Sequence, residues 1–146
     1  MCNSVKENED NPEENIRCVR AAAVRGDSEA QWRLGVMYEF GEGVEKDLAE
    51  AVKWYRASAE QGNADGQWRL GAMYDLGKGV EEDFEEAVRW YRAAAEQGNA
   101  EGQWRLGDMY RFGEGVEKDF AEAVKWYRAS AEQGKAEGQW RLGNMY

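Results

Sequence analysis

Apolar residues recur along this chain at the spacing of one helix face. Leu48, Ala51, Val52, Tyr55 and Ala59 fall at positions i, i+3, i+4, i+7 and i+11, which places them in a single stripe of an α-helix. Charged residues between them fall outside the stripe. The pattern predicts an amphipathic helix, called helix B here, that buries this stripe.

The ends of helix B are marked by residues that cap helices. Asp47 precedes Leu48, and Glu50 stands three positions after Asp47, which is the spacing of a reciprocal capping box. Gly62 is suited to end the helix, because glycine adopts left-handed dihedral angles at little cost. The same residue types return as Asp83 and Asp119, Glu86 and Glu122, and Gly98 and Gly134.

A second apolar stripe lies in each unit and predicts helix A. Asn63 is placed to cap it, and Gln67, Leu70, Gly71 and Tyr74 form its inward face. The absence of a side chain at Gly71 would let a neighbouring backbone approach closely. A glycine-rich turn then separates helix A from the next helix B.

The two helices recur together as a unit of 36 residues. The motif Gln-Trp-Arg-Leu-Gly begins at Gln31, Gln67, Gln103 and Gln139. The chain opens with a weaker helix B, in which residues 11–14 align with residues 47–50 and Pro12 takes the first helical position. We therefore predict an all-α solenoid of about eight antiparallel helices over residues 11–146, preceded by a flexible acidic tail at residues 1–10. This single domain comprises a half unit, three full units and a terminal helix A.

The repeated pattern A-x-x-x-Q-x-x-LG-x-MY-x-x-G-x-GV-x-x-D-x-x-x-A-V-x-WY-x-x-x-A-E-Q-G closely resembles the Sel-one-like repeat, a relative of the tetratricopeptide repeat. The resemblance covers residues 11–146. It implies a right-handed α/α superhelix that serves as an adaptor for protein partners. The family usually has alanine where Gly66, Gly102 and Gly138 stand, and Ala30 at the equivalent position indicates that alanine also fits there.

Composition narrows the function further. The formal net charge is -10, which argues against general affinity for nucleic acid and fits a basic protein partner, although an acidic surface also serves solubility. The chain contains no His, which removes the commonest general base and most zinc sites. The G-x-G-V segments lack the lysine and the preceding strand of a phosphate-binding loop. We expect no enzymatic activity, no metal and no cofactor.

The two cysteines, Cys2 and Cys18, have no counterparts in later units and imply no disulfide framework. No apolar run of about 18 residues is present, and the polar opening residues lack the core of a secretory signal. These features favour a cytoplasmic protein without membrane contact. An alternative is a periplasmic or surface lipoprotein, since a lipoprotein cut before Cys2 and given a new Met1 would begin in this way.

The candidate binding groove follows from the side of the solenoid on which the A helices lie. Short links permit only neighbouring packing, and A helices line the concave side of such solenoids, with B helices on the convex side. By resemblance to the tetratricopeptide helix, Asp65, Trp68, Ala72, Asp75 and Leu76 face the groove. The predicted binding residues of all units are Trp32, Trp68, Trp104, Trp140, Asp65, Glu101, Glu39, Asp75, Asp108 and Arg111.

Two interpretations of this groove stay open. The tryptophans either form an aromatic ladder that a basic or amphipathic peptide contacts, or pack between A helices as core. Within the second interpretation, Glu29-Arg33, Asp65-Arg69, Glu101-Arg105 and Glu137-Arg141 are ordinary i,i+4 ion pairs. Otherwise near-identical units differ at the positions of Asp108 and Arg111, so packing is not expected to dictate those positions, and they are the best candidates for specificity.

The leading functional prediction is a non-catalytic scaffold or adaptor that binds a protein or peptide along the concave face. Three alternatives are an acidic inhibitor or immunity-type protein for a basic partner, an idealised repeat protein without natural function, and a β-lactam-binding hydrolase. Some bacterial relatives with a disulfide in each repeat suggest the last, but this chain lacks those paired cysteines. Self-association is also expected through the uncapped terminal helix, where Leu142, Met145 and Tyr146 lack a covering helix B.

Overall fold

The computed structural model describes residues 12–146, and within them the chain forms eight α-helices and no strand, as predicted. The B helices are α1 (Pro12–Val24), α3 (Leu48–Glu60), α5 (Phe84–Glu96) and α7 (Phe120–Glu132). The A helices are α2 (Ser28–Phe40), α4 (Ala64–Leu76), α6 (Ala100–Phe112) and α8 (Ala136–Asn144). Each helix packs on its neighbours in sequence, which produces a helical-repeat solenoid. The predicted tail at residues 1–10 lies outside the described residues.

Helix B begins at the predicted aspartate, but only half of the predicted capping box forms. The Asp47 carboxylate accepts a hydrogen bond from the Glu50 amide at 3.1 Å. The Asp47 amide, however, donates to the carbonyl of Tyr38 at 2.9 Å instead of to the Glu50 side chain. The reciprocal part of the prediction is therefore wrong, because this amide ties the start of α3 to the last turn of α2.

The centre of each unit is a tyrosine of helix B that packs against a glycine of helix A. Tyr55 and Tyr91 are fully buried. A β-carbon added to Gly71 would lie 2.8 Å from the Tyr91 ring, closer than atoms of these types approach. We expected Gly71 to admit a neighbouring backbone, but the closest group is this aromatic ring, with the Ala87 carbonyl next at 3.2 Å.

Glycine is also required in the first turn of the three later A helices, α4, α6 and α8. A β-carbon added to Gly66 would lie 2.6 Å from the Ser58 β-carbon and 2.9 Å from the Ala59 amide nitrogen. The Ser58 hydroxyl donates to the Ser28 carbonyl at 2.8 Å, which holds α3 in place. The expectation that alanine also fits at this position is therefore wrong, although Ala30 is accommodated against α1 in the first unit.

Buried glutamines join successive units through hydrogen bonds. Gln67 donates to the Ala59 carbonyl of the preceding helix B at 3.3 Å and accepts from the Gln97 amide of the following helix B at 2.7 Å. Gln31 has the same two partners one unit earlier, the Ala23 carbonyl and the Gln61 amide. Each glutamine thus satisfies its own polar atoms and fixes three helices relative to one another.

The curvature of the solenoid follows from which helices meet across units. Successive A helices contact one another from α2 to α8, whereas the contacts of the B helices are mainly with A helices. A stack whose A helices lie closer together bends toward that side. This arrangement favours the predicted placement of the A helices on the concave face and the B helices on the convex face.

Two further properties of the described residues bear on the sequence analysis. Cys18 in α1 is disulfide-bonded, which the absence of a repeated cysteine pattern did not indicate. Between residues 12 and 146, no helix has the length and apolar character needed to cross a membrane.

Candidate functional site: the concave face

The structure places every predicted binding residue on an A helix, from Trp32 on α2 to Trp140 on α8. On α4, Asp65, Trp68, Ala72 and Leu76 recur at intervals of three or four residues, which brings them to one side of the helix. Repetition of the unit aligns the equivalent side chains of α2, α6 and α8 beside them. The concave face therefore carries parallel rows of tryptophan, carboxylate and apolar side chains.

The tryptophans of this face alternate with arginines in one continuous stack. The Arg69 guanidinium lies 4.8 Å from the centre of the Trp32 ring and 4.4 Å from that of Trp68. Arg105 lies in the same way between Trp68 and Trp104, at 4.9 and 4.5 Å. We call the set Trp32, Arg69, Trp68, Arg105, Trp104, Arg141 and Trp140 the Trp–Arg ladder. Cation–π attraction makes each arginine a bridge between two units.

Burial along the ladder changes from unit to unit. Trp104 is 9% exposed and belongs to a core cluster, whereas Trp32 and Trp68 are half-buried and Trp140 on the last helix is 65% exposed. The rings therefore contribute to packing between units and also present part of their surface to solvent. Trp104 therefore packs as core, as the second interpretation predicts, whereas Trp140 retains most of its surface exposed.

The hydrogen bonds of the tryptophan indole nitrogens differ between the units. Trp32 donates to Glu29 at 3.1 Å and Trp68 donates to Asp65 at 3.3 Å, but the buried Trp104 nitrogen has no partner within the described residues. The expected acceptor, Glu101, instead pairs with Lys135 at 2.5 Å. Burial raises the pKa of Glu101, but hydrogen bonds from Lys135 and Arg105 outweigh burial and leave this pKa below its ordinary value.

Two of the four predicted i,i+4 ion pairs form, namely Glu29-Arg33 at 2.8 Å and Glu101-Arg105 at 3.3 Å. The other two predictions are wrong. Asp65 accepts from the Trp68 indole instead of pairing with Arg69. Arg141 pairs across units with Asp108 at 2.7 Å instead of with Glu137. The arginines of the ladder are therefore held by groups on neighbouring helices as well as on their own.

A second row consists of the carboxylates that accept from the buried tyrosines. The Tyr55 hydroxyl donates to Glu39 at 2.6 Å and the Tyr91 hydroxyl to Asp75 at 3.0 Å. Arg111 occupies the equivalent position in the third unit, and there Tyr127 donates to Asp108, one turn earlier on α6, at 2.5 Å.

Each buried tyrosine hydroxyl therefore has a carboxylate acceptor, but in the third unit this acceptor lies one turn earlier on helix A. The expectation that packing does not dictate these sites is wrong for the carboxylates, because each one satisfies a buried hydroxyl. Burial raises the pKa of Asp75, and the negative charges of Asp108 and Glu82 raise it further, against the opposing effects of the Tyr91 hydrogen bond and the Arg105 charge.

A third row is apolar and exposed. Phe40, Leu76 and Phe112 close the three complete A helices and are 59, 62 and 59% exposed. We call these residues the apolar row. Leu76 was predicted to face the groove, but the row as a whole was not predicted. A large apolar residue at the same position of each of these units could have indicated it. Aligned exposed apolar side chains of this kind are typical of binding surfaces.

Repeated helix pairs that stack in one direction define a class, the helical-repeat proteins. A family model described as the Sel1 repeat matches residues 28–63, 64–99 and 100–135, each of which holds one helix A and the following helix B. The matches cover well over half of the sequence, and the chain belongs to the Sel1 repeat family. The resemblance inferred from the motifs is confirmed.

Solved structures agree with this assignment. A protective antigen of uropathogenic Escherichia coli with an SLR fold is 46% identical, with a TM-score of 0.86, over 92% of this chain and 29% of that one. A Sel1 repeat protein from Oxalobacter formigenes is 39% identical, with a TM-score of 0.86, over 93% of this chain and 56% of that one. Cysteine rich protein B of Helicobacter pylori, 20% identical with a TM-score of 0.73 over 91% of this chain and 98% of that one, shares the fold. Comparison with the curated proteins gives no match.

The chain is shorter than the more similar of these proteins. It spans 29% of the length of the Escherichia coli protein and 56% of the length of the Oxalobacter formigenes protein. The similarity therefore concerns the repeat array, and the function of the whole relatives is a separate question.

Proposed function

We propose that this protein is a non-catalytic scaffold that binds a protein or peptide partner along its concave face. The observation that carries the proposal is the apolar row, in which Phe40, Leu76 and Phe112 hold the same position in three units and remain exposed. Burying such side chains against a partner is favourable by roughly 25 cal/mol per Å² of apolar surface. The Trp–Arg ladder beside the row supplies the aromatic and arginine side chains that are enriched at protein interfaces.

The proposal is tested by comparing partner capture among matched variants. The first variant combines Phe40→Ser, Leu76→Ser and Phe112→Ser, which alter exposed side chains and so should leave the melting temperature close to that of the wild type. The control combines Glu60→Ala and Glu96→Ala, two exposed positions on the convex face. Immobilised proteins are exposed to a lysate, and captured proteins are identified by mass spectrometry.

The expected result is a partner that the wild type and the convex control retain and the groove variant loses. A second variant, Trp32→Ala with Trp68→Ala, truncates the two half-buried rings and leaves the buried Trp104 in place, and it should weaken capture more than it lowers the melting temperature. Capture that is equal for the wild type and the groove variant would contradict binding along the concave face. Unfolding of the tryptophan variant would assign those rings to packing alone.

A further inference from the structure

The three units are almost identical, so the places where they differ in charge stand out. Where α4 meets α6, four positions carry carboxylates: Asp75, Glu82, Asp108 and Glu114. The equivalent positions one unit earlier, where α2 meets α4, carry Glu39, Lys46, Ala72 and Lys78. We call the first set the acidic junction and the second set the mixed junction. The formal charges are −4 for the acidic junction and −1 + 2 = +1 for the mixed junction.

The turn that carries Lys78 at the mixed junction has the same conformation at its first residue as the turn that carries Glu114 at the acidic junction. Gly77 and Gly113, the residues directly before them, have φ values of 64° and 65°. At the mixed junction, Lys78 donates to Glu39 at 2.8 Å and neutralises it. At the acidic junction Glu114 stands at the position equivalent to Lys78. A carboxylate therefore replaces the cation that neutralises Glu39 at the mixed junction.

The four carboxylates of the acidic junction act on one another. Burial raises the pKa of Glu114, and Asp75, Asp108 and Glu82 raise it further. Two arginines oppose this charge: Arg141 pairs with Asp108 at 2.7 Å, and Arg105 lies close enough to lower the pKa of Asp75. Glu82 and Glu114 are in none of the ion pairs of the described residues. Negative charge therefore remains at the surface of this junction.

The apolar row passes beside the acidic junction. Leu76 follows Asp75 directly, and Phe112 lies two residues before Glu114. Both apolar side chains are about three-fifths exposed. A ligand at this junction would meet two large apolar side chains beside a concentration of negative charge, whereas the mixed junction beside Phe40 and Leu76 has a formal charge of +1.

We propose that the acidic junction, together with Leu76 and Phe112, binds an extended cationic peptide segment in which lysine or arginine lies between two large apolar residues. Helices in contact are about 8–10 Å apart, which is close to the rise of one three-residue turn of an extended polyproline II segment, whose side chains return to the same side at every third residue. Apolar residues at every third position of the segment would therefore follow the apolar row. The inference rests on the proposed scaffold function and specifies the partner's chemistry and the junction that recognises it.

The probe for this proposal is a fluorescein-labelled synthetic peptide with leucine at every third position and two lysines between the second and third leucines. A matched peptide carries two glutamates in place of the lysines. Fluorescence anisotropy measures the Kd of each peptide for the full chain. We expect the lysine peptide to bind at least about tenfold more tightly than the glutamate peptide, with a Kd that rises as salt is added.

The matched protein variants exchange charge between the junctions. Glu82→Lys with Glu114→Lys gives the acidic junction the lysines of the mixed junction and should weaken binding of the lysine peptide by about tenfold or more. Lys46→Glu with Lys78→Glu makes the opposite change at the mixed junction and should not weaken it. Melting temperatures verify that both variants are folded.

The outcomes separate this inference from the scaffold proposal. If the lysine peptide binds the Glu82→Lys, Glu114→Lys variant as tightly as the wild type, or the two peptides bind equally well, the charge-based inference is wrong. The scaffold proposal would still stand if the serine variant of the apolar row lost its captured partner. Loss of lysine-peptide binding in the Lys46→Glu, Lys78→Glu variant would also overturn the inference, since recognition would then depend on the mixed junction.

Discussion

At the scale of single residues, the fold depends on pairs in which one partner is small because the other is large. Gly71 and Tyr91 are such a pair, and Gly107 with Tyr127 repeats it one unit later. The tyrosine fills the space left by the glycine, and its hydroxyl reaches a carboxylate of helix A. The helix A that faces the tyrosine must therefore carry a glycine against the ring and a carboxylate that accepts from the hydroxyl.

Gly71→Ala should destabilise the protein by about 1 to 3 kcal/mol, because the added methyl group overlaps the Tyr91 ring and forces α4 and α5 apart. The matched control is Gly143→Ala on α8, where an added β-carbon meets no atom within 4 Å. Alanine favours helix, so the control should be neutral or more stable. Urea denaturation followed by circular dichroism measures both, and equal effects at the two glycines would contradict the packing argument.

Asp108→Ala should cost about 1 to 3 kcal/mol, because it leaves the hydroxyl of buried Tyr127 without its carboxylate acceptor. Adding Arg111→Glu should restore part of this loss, since the new carboxylate occupies the position from which Glu39 accepts from Tyr55 in the first unit. The free energy of unfolding of the two single variants and the double variant forms the test. A double variant less stable than Asp108→Ala would show that the acceptor cannot move between the two positions.

At the scale of helices, the sequence predicts correctly those features that depend on residues within a single unit, such as the ends of a helix. Asp47 and Gly62 mark the ends of α3 by their own dihedral preferences and hydrogen bonds, so a single unit is enough to place them. Contacts between units were harder to predict. The pairing of Arg141 with Asp108 and of Lys135 with Glu101 joins residues more than 30 positions apart, and no periodicity of one helix contains that information.

The acidic junction between α4 and α6 should make stability depend on pH. Burial and nearby carboxylates raise the pKa of Glu114 in the folded state, so folding favours its protonated form. That stabilising contribution is present below the pKa of the unfolded chain and is lost as pH rises through the folded pKa. At pH 7 Glu114→Gln should therefore melt at a higher temperature than the wild type, and the difference should vanish below about pH 4. Calorimetry over this range is the measurement, and a wild type that melts higher at pH 7 would contradict the predicted repulsion.

At the scale of the whole molecule, the main contacts among the described residues join helices of the same unit or of adjacent units. Stability in such an array is approximately a sum of unit energies and interface energies. The cores agree with this description, because each is built from adjacent helices, and Trp90 of one unit completes the cluster of the unit before it.

Removal of residues 64–99 should consequently leave a folded, shorter solenoid. The deletion joins Asn63 to Ala100, which restores the sequence of one unit boundary and preserves the asparagine cap. The shortened chain should keep its helical signal per residue, with a lower free energy of unfolding and a smaller dependence on urea, because less surface is exposed on unfolding. A deletion variant without cooperative unfolding would show that the units depend on one another beyond their nearest neighbours.

The close identity of the units also has an informational consequence. On a surface that repeats every 36 residues, a ligand recognised by repeated features alone meets several equivalent binding sites and binds them with equal affinity. The aligned positions of Phe40, Leu76 and Phe112 create this degeneracy, because a shift by one unit replaces each side chain with a similar one. Glu42, Lys78 and Glu114 occupy equivalent positions, and the change of sign between successive units breaks the translational symmetry and makes neighbouring units distinguishable to a charged ligand.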